Sequence, residues 1–100
     1  MTKIKELFNK ANIAYQKKNF EAAKKFYEKI LELNPNNEQY WVNYIAIFLN
    51  LKEFDVAEKL SRKAIKLNPS FSKVYCNLGS VLQFKGKFQE AIKCYNNAIE

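Results

Sequence analysis

One hundred residues, 48% of them apolar and 15% aromatic, support one small folded unit and exclude a disordered tail. The chain has no histidine, a single aspartate (Asp55) and two cysteines, Cys76 and Cys94. This excludes histidine–cysteine zinc sites, serine–histidine triads and a framework of disulfides, so the expectation is no enzyme, no metal and no cofactor.

The net charge of +7 is that of sixteen lysines and one arginine, Arg62, spread along the chain, against ten acidic residues. Base-edge and phosphate recognition lean on the bidentate guanidinium, so the lysines predict solvated helix surface and no specific nucleic-acid binding. No apolar run approaches the ~20 residues of a membrane span. The N-terminal MTKIKELFNK is charged and amphipathic, unlike a secretory signal. An intracellular, cytoplasmic protein with reduced thiols is expected.

With two glycines and two prolines there are few turns, so the elements should be helices. The first unit, residues 4–37, places Leu7, Ala11 and Ala14 on one helical stripe and Ala23, Tyr27 and Ile30 on a second. The second, 38–71, repeats this with Trp41, Tyr44, Ile45 and Phe48, a break at LKEFD, then Ala57, Leu60, Ala64 and Leu67. The third, 72–100, carries Tyr75, Leu78, Gly79 and Leu82, then Ala91 and Tyr95. Asn34-Pro35 and Asn68-Pro69 stop the helices before them, because proline lacks the donor and restricts its predecessor. Asn37 and Ser72 are placed to cap the helices that follow.

The stride between units is 34 residues, the distance from Pro35 to Pro69. Phe20, Phe54 and Phe88 share a column, as do Ala23, Ala57 and Ala91, and Leu7, Trp41 and Tyr75. This pattern resembles the tetratricopeptide repeat, whose signature runs Trp-x2-Leu-Gly-x2-Tyr, Ala-x3-Phe, Pro. The resemblance covers the whole chain as a single domain. It implies an all-α, right-handed solenoid of about three helix-turn-helix repeats, the last truncated, acting as a protein-interaction scaffold. Ile45 departs from the pattern where a small residue normally lets paired helices approach, so the second pair should be slightly splayed. The third repeat stops before its own Leu-Asn-Pro, which would leave Ile92, Tyr95 and Ile99 on an open edge available for self-association into a homo-oligomer.

In stacked helix pairs the first helices line the concave wall. That wall would carry Lys5, Phe8, Asn9 and Asn12, then Gln39, Val42, Asn43 and Ala46, then Lys73, Cys76, Asn77 and Ser80. Asn9, Asn43 and Asn77 form a column of poor helix formers whose amides could pair with an extended peptide backbone. The row is similar to the asparagine ladder in the repeats of O-linked N-acetylglucosamine transferase. Lys5 and Lys73 would favour an acidic protein or peptide, while Phe8 and Val42 offer apolar contact. Replacing all three asparagines should therefore weaken peptide binding and leave the melting temperature nearly unchanged. A second resemblance is to the carboxylate clamp of co-chaperones: Asn12, Asn43 and Lys73 match it, but Phe8 stands for its lysine and Asn77 for its arginine.

Overall fold

A computed structural model describes residues 2–99. It contains six helices in chain order: α1 (Thr2–Gln16), α2 (Phe20–Leu33), α3 (Glu38–Asn50), α4 (Phe54–Leu67), α5 (Ser72–Phe84) and α6 (Phe88–Ile99). Consecutive helices pair as α1/α2, α3/α4 and α5/α6, and the pairs stack into an elongated body of 41 × 25 × 17 Å. Among the described residues there is no strand, and no helix is long and apolar enough to cross a membrane.

The punctuation works as the sequence predicts. α2 and α4 end one residue before the Asn-Pro dipeptides, and the Asn34 and Asn68 side chains accept from the backbone N–H two residues on (3.3 and 3.0 Å). Asn37 caps α3, its Oδ1 accepting from the N–H groups of Gln39 and Tyr40. The expected Ser72 cap does not form: Ser72 is already the first helical residue, and Phe71, which precedes it, has no capping side chain. Glu38 fills that role from the preceding repeat, its carboxylate accepting from Lys73 N–H at 2.7 Å and Val74 N–H at 3.3 Å. A carboxylate at a helix N-terminus satisfies orphan donors and meets the positive end of the dipole.

The turns inside the three pairs share one conformation. Lys18 (φ 59°), Lys52 (φ 60°) and Gly86 (φ 80°) occupy equivalent left-handed positions.

Within each pair, one column of the first helix faces one column of the second. The third pair holds Gly79 with Tyr95; the same columns hold Ala11 with Tyr27 in the first and Ile45 with Ser61 in the second. Ile45 and Ser61 are both 0% exposed, so the bulk moves from the second helix to the first and the contact stays closed to solvent. The α3/α4 pair still makes fewer close backbone approaches than its neighbours, as the branched Ile45 side chain demands.

Candidate functional site

α1, α3 and α5 carry the columns expected to meet a ligand, but the three asparagines have different surroundings. Asn43 is half-buried and tied to the previous repeat: its Nδ2 donates to Tyr27 Oη at 3.0 Å, and its Oδ1 accepts from Gln39 Nε2 at 2.7 Å. Tyr27 Oη in turn donates to Asn12 Oδ1 at 3.2 Å. Burial raises the Tyr27 phenol pKa above its ordinary value, and the Asn43 hydrogen bond offsets part of that. This chain borders a concavity of about 210 Å³ lined by Asn12, Tyr15, Tyr27, Asn43 and Ala46. Tyr15 is held as well, its Oη accepting from Asn50 Nδ2 at 2.6 Å.

The network has a direction. Tyr27 takes the carbonyl side of Asn12, and Gln39 occupies that of Asn43. The Asn12 Nδ2 group and the second hydrogen of Asn43 Nδ2 are left unclaimed among the described residues. The concavity therefore offers mainly N–H donors, and it suits an incoming carbonyl or carboxylate oxygen.

Asn77 is half-buried, and its Nδ2 is shut from solvent with no hydrogen-bond partner. The cause lies at Ser61, the counterpart of Tyr27. A serine is too short to meet Asn77, and its hydroxyl donates to Ala57 O in its own helix at 2.8 Å. Asn9 is exposed and makes no side-chain hydrogen bond among the described residues. Lys5 and Lys73 are exposed. Phe8 is half-buried, its ring edge-on to Tyr27 (centroids 6.3 Å) and tilted against Tyr40 (5.3 Å). Val42 is half-buried against the core.

At the far edge Ile92 and Ile99 are exposed, 54% and 83%. Tyr95 is half-buried: its ring packs on Gly79, and its hydroxyl donates to Gln83 Oε1 at 3.0 Å. Phe84 (72% exposed) and Phe88 (60%) extend this apolar surface. The sequence pattern places Tyr27 on a core stripe and does not mark it as the bridge between Asn12 and Asn43. The column Tyr27, Ser61, Tyr95 carried that signal, because tyrosine supplies a polar tip to a buried position and serine does not.

Comparison with known proteins agrees with the fold. Family profiles described as tetratricopeptide repeat match residues 4–37, 39–71 and 72–100. Small glutamine-rich tetratricopeptide repeat-containing protein 2 of Mycosarcoma maydis is 35% identical over all 100 residues, and the chain spans 28% of that protein's length. Among solved structures, the Arabidopsis OM64 TPR domain superimposes with a TM-score of 0.84 at 29% identity, covering 99% of this chain and 82% of that one. The first TPR of Spaghetti (RPAP3), bound to the HSP90 peptide SRMEEVD, gives 0.84 at 28% identity, covering 98% and 78%. Repeat stride, paired helices and profile matches over nearly every residue coincide, and the chain belongs to the tetratricopeptide repeat family.

Proposed function

We propose that this chain is a protein-interaction scaffold that holds an extended, acidic peptide along α1, α3 and α5. The observation that carries the reading is the directed Asn12–Tyr27–Asn43–Gln39 network, which leaves N–H donors facing a concavity between α1, α2 and α3, with Gln39 in the column of Lys5 and Lys73. Donors of this kind match peptide carbonyl oxygens and carboxylates. The relative solved with SRMEEVD shows that such a scaffold takes an acidic tail. Asn9 adds an uncommitted amide that can pair with both sides of a peptide unit. The likeness to O-linked N-acetylglucosamine transferase repeats rests on the row of three asparagines and on VYCNLGSVL, residues 74–82. Phe8 and Val42 contribute the apolar floor of the groove. The reading also places the protein inside the cell, where Cys76 and Cys94 stay as thiols.

Titration calorimetry with a short acidic peptide ending in a free carboxylate tests this. Micromolar binding, weakened by Lys73→Ala and by added salt, is expected. The same affinity after C-terminal amidation assigns the contact to side chains and backbone; its loss assigns it to a co-chaperone-type clamp built from Asn12, Asn43 and Lys73. Indifference to both Lys73→Ala and salt overturns the reading.

The exposure of Ile92 and Ile99 favours a second reading, in which this edge packs on another chain to form a homo-oligomer. Sedimentation across a wide concentration range tests it, and a monomer throughout rules it out.

A further inference from the structure

The interface between successive repeats occurs twice among the described residues, and there one further copy of each half is exposed. On the receiving side, Tyr27 and Leu31 of α2 are 1% and 8% exposed beneath α3. Their counterparts on α6 are the half-buried Tyr95 and Ile99, which is 83% exposed. On the incoming side, Ile47 of α3 and Val81 of α5 are 0% exposed, whereas Ile13, their counterpart on α1, is 52% exposed. The polar pairs of the α2/α3 interface, which α4/α5 lacks because Ser61 and Leu78 stand in two of the four columns, are split in the same way. Asn43 of α3 donates to Tyr27 of α2 at 3.0 Å; α1 carries the matching Asn9 and α6 the matching Tyr95. Tyr44 of α3 donates to Glu28 of α2 at 3.2 Å; the matching positions hold Lys10, a donor, and Asn96, whose carbonyl accepts.

We propose that α1 of a second copy packs on α6 in the register that α3 adopts on α2, so that the chain associates head to tail. This rests on the self-association reading and adds the second surface and the register. Asn9 of the incoming copy donates to Tyr95, Lys10 meets Asn96, and Ile13 closes over the apolar edge of Phe88, Ile92 and Ile99. The occupant is a second copy because both halves of the interface, including the direction of both hydrogen bonds, reside on one chain. The contact is heterologous and does not close on itself, so assemblies lengthen with concentration instead of stopping at a dimer. Each copy carries +7, so repulsion opposes assembly and added salt strengthens it.

Sedimentation velocity on the chain and two edge variants, with circular dichroism as a check on folding, decides the matter. Ile13→Glu blocks the α1 face, and Ile99→Glu blocks the α6 face; both residues are exposed and lie outside the peptide site. The unmodified chain should sediment progressively faster from micromolar to millimolar concentration, more so at higher salt. Each variant alone should stay monomeric, and their equimolar mixture should form a discrete one-to-one complex through the two intact faces. A monomeric unmodified chain overturns self-association altogether. Association that survives Ile13→Glu unchanged keeps self-association but overturns the head-to-tail register, because α6 is then pairing with itself. A mixture that remains monomeric overturns it as well.

Discussion

Tyr95 lays its ring so closely over the α-carbon of Gly79 that a β-carbon there would stand 2.8 Å from Cε1 and 2.9 Å from Cζ. The ring cannot retreat freely, because its hydroxyl is held by Gln83 at 3.0 Å and lies 3.4 Å from Ser80 Oγ. Gly79→Ala should therefore destabilise the chain by about 1–3 kcal/mol, the usual range for overpacking, despite alanine's better helix propensity. In a Tyr95→Ser background, which copies the Ile45/Ser61 arrangement, the same substitution should become neutral or stabilising by up to about 1 kcal/mol. Urea unfolding of the four proteins measures the reversal. Equal effects in both backgrounds would mean that the ring is not the obstacle.

The asparagine column should divide on substitution. Asn9→Ala should leave the melting temperature unchanged, since Asn9 is exposed and unbonded. Asn43→Ala should cost about 1 kcal/mol, because it leaves Tyr27 and Gln39 short of partners in a half-buried site. Asn77→Ala should be neutral or stabilising, because it removes a buried Nδ2 that has nothing to bond. The expectation from sequence of a melting temperature indifferent to all three substitutions should therefore fail at Asn43, and thermal melts of the single variants check each case. Loss of peptide affinity in Asn9→Ala with an unchanged melt would assign that residue to the ligand.

What the sequence made legible was whatever repeats. The 34-residue stride located all six helices, the Asn-Pro stops and the loose second pair, because each depends on residue types in fixed columns. What escaped was whatever depends on two columns at once. Tyr27 reads as core alone and Asn43 as a groove residue alone; only their contact across the α2/α3 boundary makes them one network. Glu38 capping α5 from the preceding repeat escaped for the same reason, since capping rules look at neighbouring residues and this contact spans 35 positions. Asn77 looked equivalent to Asn43 in its own column, and Ser61 in another column makes it different.

The turns inside the helix pairs predict stability changes of opposite sign at equivalent sites. Gly86 adopts φ 80° with open space around the position of a β-carbon, so Gly86→Ala pays only the conformational penalty, about 1 kcal/mol. Lys52 carries that penalty already at φ 60°, so Lys52→Gly should stabilise the chain by roughly 0.5 kcal/mol once glycine's greater unfolded freedom is subtracted. Denaturant midpoints measure both. A loss of stability in Lys52→Gly would show that the lysine side chain contributes more than its backbone strain.

The pair Glu58 and Lys85 ties α4 to the end of α5 and should make stability depend on pH in a defined window. Lys85 Nζ donates to Glu58 Oε1 and to Asp55 Oδ1, both at 2.7 Å, and Arg62 Nε donates to Glu58 Oε2 at 3.0 Å. The Lys85 hydrogen bond, helped by Arg62, holds the Glu58 carboxyl below its ordinary range against the opposing pull of partial burial. The hydrogen bonds that Lys85 donates to Asp55 and Glu58 in turn raise its ammonium above its ordinary value. A lowered carboxylate stabilises the fold above its unfolded pKa and loses that contribution as pH falls through the folded one. A raised ammonium stabilises the fold below its unfolded pKa and loses that contribution as pH rises through the folded one. The linkage is therefore fully present between the ordinary carboxylate range, about 4, and the ordinary lysine range, about 10. Glu58→Gln should lower the melting temperature slightly at neutral pH, with the difference from the unmodified chain shrinking at both extremes and in concentrated salt. Paired melts across pH are the measurement, and a difference that stays constant through the acid limb would mean that Glu58 acts by shape and hydrogen bonding alone, without its charge.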